Sequence, residues 1–413
     1  MAENDGATAT HPGPRPLDGF RVLDFTQNVA GPLAGQIMAD LGAEVIKVEA
    51  ETGDQARSLV SVLPGRPPLA TYFLPNNRGK KSITADLTTD AGRHRILALV
   101  DTADVVLEGF RPGVIERLGL GPEVLRARNP RLIYARLSAY GGNGPHGDRP
   151  GVDLMVAAEA GMTTGMPSAT GKPQIIPFQL VDNASGHVLA QAVLAALLNR
   201  ERHGVGDLVR VAMYDVAVGL QANQLTVHLN TPPAEPAPPA DSAGNSGETV
   251  KPARRKSVGF ATQPSDAFQA ADSHLVISAY LPKHWAILCR VIDRPDLIDD
   301  ERFADQRTRA RHYYELTAEL EAALASKPAA EWVDLMQQAG IMACLPHTWK
   351  QVVTTPLFAE NELAVQCASG NSSPNPEASP GVTVIRTPAR YDAFNACVTA
   401  APPGLGEHNA EFP

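Results

Sequence analysis

A strand, a helix and a return strand follow one another between Phe20 and Glu49. Phe20-Arg-Val-Leu-Asp-Phe25 is apolar and β-prone. Gly31-Pro-Leu-Ala-Gly-Gln-Ile-Met-Ala-Asp-Leu-Gly42 reads as a helix, with proline in its first turn and glycine at its stop. Glu44-Val-Ile-Lys-Val-Glu49 is the return strand. The unit spans about 30 residues, the length of a βαβ crossover. A second unit follows, with a strand at Ser82–Asp86, a helix at Asp90–Val100 and a strand at Asp104–Glu108. Arg131–Arg136 reads as the next strand, and Leu208–Ala212, beyond an apolar helix from Asn183 to about Arg200, as another. Alternation of this kind predicts a mainly parallel sheet covered by helices.

After a further helix at about Tyr214–Leu229 the composition changes. Residues 231–258 are rich in Pro, Ala and Ser and read as a linker, with a basic, solvated run at Lys251–Lys256. Beyond it, a strand at Leu275–Ala279 and helices at about His284–Ile292, Tyr314–Ser326 and Ala330–Gly340 predict a smaller domain over 259–350. Residues 351–413 contain one more β-prone piece, Val382–Arg386. The expected organisation is a disordered tail at 1–16, a large domain over 17–230, the linker, the small domain, and a return segment that completes the large domain.

Charge and motifs exclude several classes. The net charge of −9 argues against a broad nucleic-acid or membrane footprint. Four scattered cysteines suggest neither a zinc site nor a disulfide framework, so a reduced, cytoplasmic setting is expected. The first strand runs into Thr26-Gln-Asn-Val-Ala-Gly-Pro32 rather than a GxGxxG fingerprint, so no nicotinamide site is expected. The P-loop, HExxH and GxSxG patterns are missing too, so neither ATP nor a metal is expected.

One position stands out chemically. Asp182 stands at the entrance of an apolar helix, followed by the small residues Ala184, Ser185 and Gly186. The plain reading is an N-cap, which contributes about 1 kcal/mol. The functional reading is a nucleophile that the helix N-terminus keeps ionised and that small neighbours leave open to a bulky substrate.

An ordered series of segments bears on the choice. Arg21-Val-Leu-Asp-Phe, Ala30-Gly-Pro, Leu41-Gly-Ala-Glu-Val-Ile-Lys-Val-Glu49 and Asn77-Arg-Gly-Lys-Lys-Ser82 come first. Ala103-Asp-Val-Val-Leu-Glu-Gly-Phe-Arg-Pro-Gly113, Glu116-Arg-Leu-Gly-Leu-Gly121, Ser138-Ala-Tyr-Gly-Gly-Asn-Gly-Pro145 and Gly404-Leu-Gly-Glu-His-Asn-Ala-Glu411 follow. Over nearly the whole chain this resembles the class III coenzyme A transferases, the formyl-CoA transferase and CaiB–BaiF group. The resemblance implies a Rossmann-like α/β large domain built from both chain ends, a smaller inserted α+β domain and an intertwined homodimer. It implies Asp182 as the nucleophile, passing through aspartyl anhydride and aspartyl-CoA thioester intermediates. The partners it implies are an acyl-CoA donor and a carboxylic acid acceptor, with coenzyme A as substrate.

Carried over by motif, Asn28, Val29 and Ala30 line the pantetheine or nucleotide path, and Gly109 and Phe110 pack near the adenine. Arg117 and Leu118 hold phosphate and ring, and Ser138 and Tyr140 flank the reacting end. Some relatives have Gln at Val29, Asn at Gly109 and Lys at Ser138, which bears on hydrogen bonding there. Backbone N–H groups of Gly141 and Gly142 are candidate oxyanion donors, and Gly161–Met166 a candidate wall of the acyl site. Lys47, Arg78, Lys80 and Lys81 read either as phosphate partners or as solvated charges. His187 is expected off the face of Asp182.

Two rivals remain. The α-methylacyl-CoA racemases share the scaffold but pair the aspartate with a histidine in a Gly-His-Asp stretch. Here that stretch is Gly151-Val152-Asp153, and valine carries no proton. The other rival is a non-catalytic acyl-CoA binding protein with Asp182 only a cap.

Overall fold

The computed structural model describes residues 13–62, 70–141, 144–166, 172–231, 263–367, 382–398 and 400–412. Most of the expected tail and linker, residues 1–12 and 232–262, lies outside the described residues. The chain divides into two compact units, Met1–Leu225 with Asn361–Pro413, and Thr226–Glu360.

The first unit is built on a six-stranded parallel sheet. Its strands are β1 (Arg21–Asp24), β2 (Glu44–Glu49), β3 (Lys81–Thr84), β4 (Val105–Glu108), β5 (Ile133–Ser138) and β6 (Asp207–Ala212), in the order β3-β2-β1-β4-β5-β6. All five pairings are parallel. Successive residues of a strand enter different cores. Val22, Val105, Leu107, Ile133 and Ala135 face one core, and Leu23, Ile46, Val106, Leu132 and Tyr134 the other. Helices α1 (Ala30–Asp40) and α4 (Leu180–His203) cover the first face, while α2 (Asp90–Val100) covers the second. Burial on both faces is why the strands read as unbroken apolar runs. A shorter helix, α3 (Asp153–Glu159), also contributes Val156 and Ala157 to the first core.

Helix α4 is long and apolar enough, by length and composition, to cross a membrane, and close to half of that stretch is buried inside the protein. The expected helix at Tyr214–Leu229 is two helices, Met213–Gly219 and Ala222–Asn230, interrupted at Leu220 and Gln221. The C-terminal segment returns to the edge strand: the His408 N–H donates to the Ser82 carbonyl at 2.9 Å, and the Gly406 N–H to the Ser82 hydroxyl at 3.0 Å.

The second unit holds a three-stranded antiparallel sheet of β7 (Ser265–Gln269), β8 (His274–Ser278) and β9 (Met342–Cys344). Helices at Pro282–Val291, Tyr313–Leu324 and Ala329–Gln338 close its core around Phe268, Leu275, Trp285, Leu320 and Trp332. Strand β7 is absent from the sequence reading. Its residues are mostly polar, and pairing with β8 makes it a strand.

Candidate active site

The strand order reverses between β1 and β4, and open parallel sheets bind ligands in the crevice at such a point. A cavity of about 900 Å³ lies there. The loop after β1 supplies Thr26 to Gly31, the loop after β4 supplies Gly109 to Pro112, and the end of β5 supplies Leu137 to Ala139. The far wall comes from Gly151 to Met155 and Ile175 to Gln179, with Asp182. A smaller cavity of about 360 Å³ shares Phe25, Gln27 and Phe110 with the first and adds Leu118, Glu49 and Asp86.

Asp182 is not the N-cap. Helix α4 starts at Leu180, Gln179 holds the cap position without a side-chain capping bond, and Asp182 is the third helical residue. Its side chain is half-buried and has no hydrogen-bond or ion-pair partner among the described residues. Its backbone N–H donates to Asp153 Oδ2 at 2.9 Å, so the two carboxylates are neighbours. Burial first, and the like charge of Asp153 second, push the Asp182 carboxyl up to about 7. The sequence reading expected the helix terminus to keep this group ionised. Instead desolvation and like-charge repulsion outweigh the favourable N-terminal potential. A more basic carboxylate is a stronger nucleophile, and a large fraction is still ionised at neutral pH.

The small residues behind Asp182 also have another explanation. Ala184, Ser185 and Gly186 are not among the residues lining the cavity. A Cβ on Gly186 would lie 2.7 Å from the Ala30 carbonyl oxygen and 2.9 Å from Leu33, so glycine there allows α4 to lie against α1. His187 is exposed.

Of the residues named for coenzyme A, Asn28, Val29, Ala30, Gly109, Phe110 and Ser138 line the large cavity, and Leu118 lines the small one. Arg117 and Tyr140 line neither. Arg117 is exposed on the short helix after Gly113. The Tyr140 hydroxyl donates to Glu159 at 3.0 Å, and Arg149 lies 4.3 Å from the centre of its ring. The Gly141 N–H is already engaged by the Ser138 hydroxyl at 3.0 Å, and Gly142 lies outside the described residues. Of Gly161–Met166, none lines either cavity.

The basic residues Lys47, Arg78 and Lys80 are neither phosphate partners nor solvated. All three are buried, in ion pairs with Asp54, Asp40 and Asp24. Lys81 bridges Glu44 at 2.9 Å and Glu411 at 2.8 Å. The sequence reading missed Arg111, Asp153 and Tyr72, which line the cavity, and Gln179, which donates to the Tyr72 hydroxyl at 2.7 Å. Arg111 stands inside the Ala103–Gly113 segment, and Asp153 inside Gly151-Val152-Asp153. Among the described residues no group of three or more His, Cys, Asp or Glu is placed to hold a metal ion.

Comparison with known proteins decides the family. The model of CoA-transferase family III matches residues 17–409. The chain belongs to CoA-transferase family III. The transferase is similar to the probable fatty acyl-CoA transferase Rv3272 of Mycobacterium tuberculosis, 69% identical over 96% of this chain and 97% of that protein. A crystal structure of Rv3272 superposes with a TM-score of 0.84 and 66% identity, covering 98% of this chain and all of that one. A CAIB/BAIF family protein from Brucella suis gives a TM-score of 0.77 at 29% identity, over 96% of this transferase and 98% of that chain.

Proposed function

We propose that this transferase moves coenzyme A from an acyl-CoA thioester to a carboxylic acid, with Asp182 as the nucleophile. The observation that carries the reading is a half-buried carboxylate, without a side-chain partner among the described residues, facing a cavity at the sheet's reversal point. Asp182 attacks the acyl carbon, forms a mixed anhydride and expels the CoA thiolate. The thiolate attacks the aspartyl carbonyl, which releases the donor acid and leaves an aspartyl-CoA thioester. The acceptor carboxylate attacks that thioester, giving a second anhydride and the thiolate again. Attack of the thiolate on the acceptor acyl carbon forms the new acyl-CoA and regenerates the Asp182 carboxylate. One thioester replaces another, so the exchange needs no nucleoside triphosphate.

Coenzyme A lies across the strand ends in this reading. Asn28, Val29, Ala30 and Ser138 line the pantetheine path, and Gly109 leads to the adenine between Phe110 and Leu118. Arg111 and Arg117, on either side of Gly113, meet phosphates, the guanidinium geometry suiting a phosphate fork. Tyr140 acts at the reacting end through Glu159 and Arg149.

The acyl groups are read from the far wall. Leu154, Met155, Ile175 and Phe178 expose apolar surface to the cavity. Among the described residues the cations in its lining are Arg111 and Arg149, and Arg149 is held by Glu159 at 2.7 Å. An apolar monocarboxylic acyl group suits this wall better than a dicarboxylate, in keeping with the name of the Mycobacterium tuberculosis relative. Exposed Val188, Leu198 and Leu220 supply apolar surface for the expected homodimer, which sedimentation tests. The four cysteines are free thiols, in keeping with a cytoplasmic setting.

Incubation with an acyl-CoA and then hydroxylamine tests the chemistry. A hydroxamate at Asp182 is the expected product; none forms on a protein that only binds. A racemase would place solvent deuterium at the α-carbon without any acceptor acid, whereas the transferase exchanges none. Among the described residues no histidine lines the cavity to serve as the second base.

A further inference from the structure

Beneath the loop that follows β1 lie four charged side chains that the proposed chemistry does not use. Asp24, Lys47, Asp54 and Lys80 are buried and form two ion pairs, Lys80–Asp24 and Lys47–Asp54, both at 2.8 Å. Burying four charges is costly unless each is paired and its remaining hydrogen-bonding capacity is filled. Much of that capacity goes to a single stretch of backbone. Asp24 accepts from the Thr26 N–H at 3.0 Å, and Lys47 donates to the Thr26 carbonyl at 2.8 Å. Asp54 accepts from the Asn28 N–H at 3.1 Å and the Ala56 N–H at 2.9 Å. Lys80 donates to the Pro32 carbonyl at 2.8 Å and to Asn77 at 3.0 Å.

Backbone groups at 26, 28 and 32 are therefore each gripped by a buried charged side chain. Between them Asn28 has φ 66°. That left-handed conformation is tolerated by asparagine and strongly disfavoured for β-branched residues. The gripped stretch is the one that lines the cavity, Thr26 to Gly31, and Gln27 reaches the smaller cavity as well.

We infer that Lys47 and Asp54 are positioning residues for coenzyme A, holding the Thr26–Ala30 loop by its backbone in the shape that lets the ligand lie across the strand ends. Neither touches the ligand; both act through the loop. The inference rests on the coenzyme A reading given above. Its distinguishing property is that affinity depends on the loop's conformation while the chemistry at Asp182 does not.

The test measures CoA dissociation constants by calorimetry, with kcat and KM for an acyl-CoA, on the full chain. Asp54→Ala is expected to weaken CoA binding at least about tenfold, the cost of ordering a released loop, and to raise KM in step. Its kcat at saturation is expected to change less than about threefold, because Asp182 is untouched. Asp54→Asn keeps an acceptor for the Asn28 N–H and is expected to recover most of the loss. Asn28 is exposed, so its replacement probes the loop without opening the core. Asn28→Val is expected to lose at least about fivefold more affinity than Asn28→Gly, because only glycine accepts the positive φ without strain. A folded Asp54→Ala protein that binds CoA as the native enzyme does overturns the inference. So does equal binding by the two Asn28 variants, which settles the matter if Asp54→Ala does not fold. Native enzyme that fails to bind CoA overturns the transferase reading itself, a different result.

Discussion

Asp24, buried beneath the loop that lines one side of the large cavity, and Asp182, in the lining of the other side, live under opposite rules. At the β1 end, Asp24 is fully buried yet held below the ordinary carboxylate range: burial alone would raise it, and Lys80 and Lys47 outweigh that. At the α4 end, Asp182 is less buried and yet is raised to about 7, by burial first and by the neighbouring Asp153 carboxylate second, with no ion-pair partner among the described residues. Degree of burial alone therefore does not set the charge state: burial raises both groups, and at Asp24 the two lysines reverse its effect. Where the fold buries Asp24 as a structural group, it supplies Lys80 as the ion-pair partner. Where it leaves Asp182 without a side-chain partner among the described residues, the carboxyl is more basic.

The largest effect expected from this contrast is on catalysis. Asp182→Ala is expected to lower acyl-CoA exchange by about a thousandfold or more while CoA binding persists, because removing a nucleophile removes the route. Exchange at the native rate would erase the distinction between the two ends. Next comes stability at the other end. Asp24→Ala leaves the Lys80 ammonium buried without its counter-ion and is expected to cost about 3–5 kcal/mol in urea unfolding. A loss below about 1 kcal/mol would mean that the pair is not what stabilises the loop.

The third effect concerns pH. Only ionised Asp182 attacks, so kcat/KM is expected to rise with pH through about 7. Asp153→Asn keeps an acceptor for the Asp182 N–H but removes the like charge, so the acidic limb should move to lower pH. An unmoved limb would assign the raised value to burial alone. The smallest effect is on the folded state. A carboxyl with a raised pKa keeps its proton in the native protein where the unfolded chain has lost it. Stability is therefore lost as pH rises from the ordinary value near 3.8 through about 7. Asp182→Asn removes that loss and is expected to raise Tm by about 2 °C at pH 8. At pH 4 the gain should be much smaller. A destabilised Asp182→Asn protein at pH 8 would contradict the picture of a functional group held at the expense of stability.

How much of this was legible in the sequence depends on what each signal encodes. The parallel sheet was readable because Val105, Val106 and Leu107 are apolar in a row, the mark of a strand buried on both faces. The position of Asp182 within its helix was not. The sequence reading began the helix at Asn183, but Leu180 and Val181 are helical as well, which moves the aspartate from cap to third residue. Lys47 and Lys80 were misread because a charged residue in a sequence suggests water. Only the fold turns the loop after β2 so that Asp54 reaches back to Lys47, and brings Asp24 of β1 to Lys80 across the sheet. Asp153 is hidden for a related reason: nothing local marks its carboxylate as the acceptor of an N–H 29 residues away.

The missing side chain at Gly186 has a consequence of its own. A side chain there would meet the Ala30 carbonyl oxygen, so the helix bearing Asp182 and the start of α1, beside the cavity, sit in direct contact. In the proposed reading, the spacing between the aspartate and the loop that would carry the thioester is thus a property of the scaffold, and a change of acyl group would be made at the far wall instead.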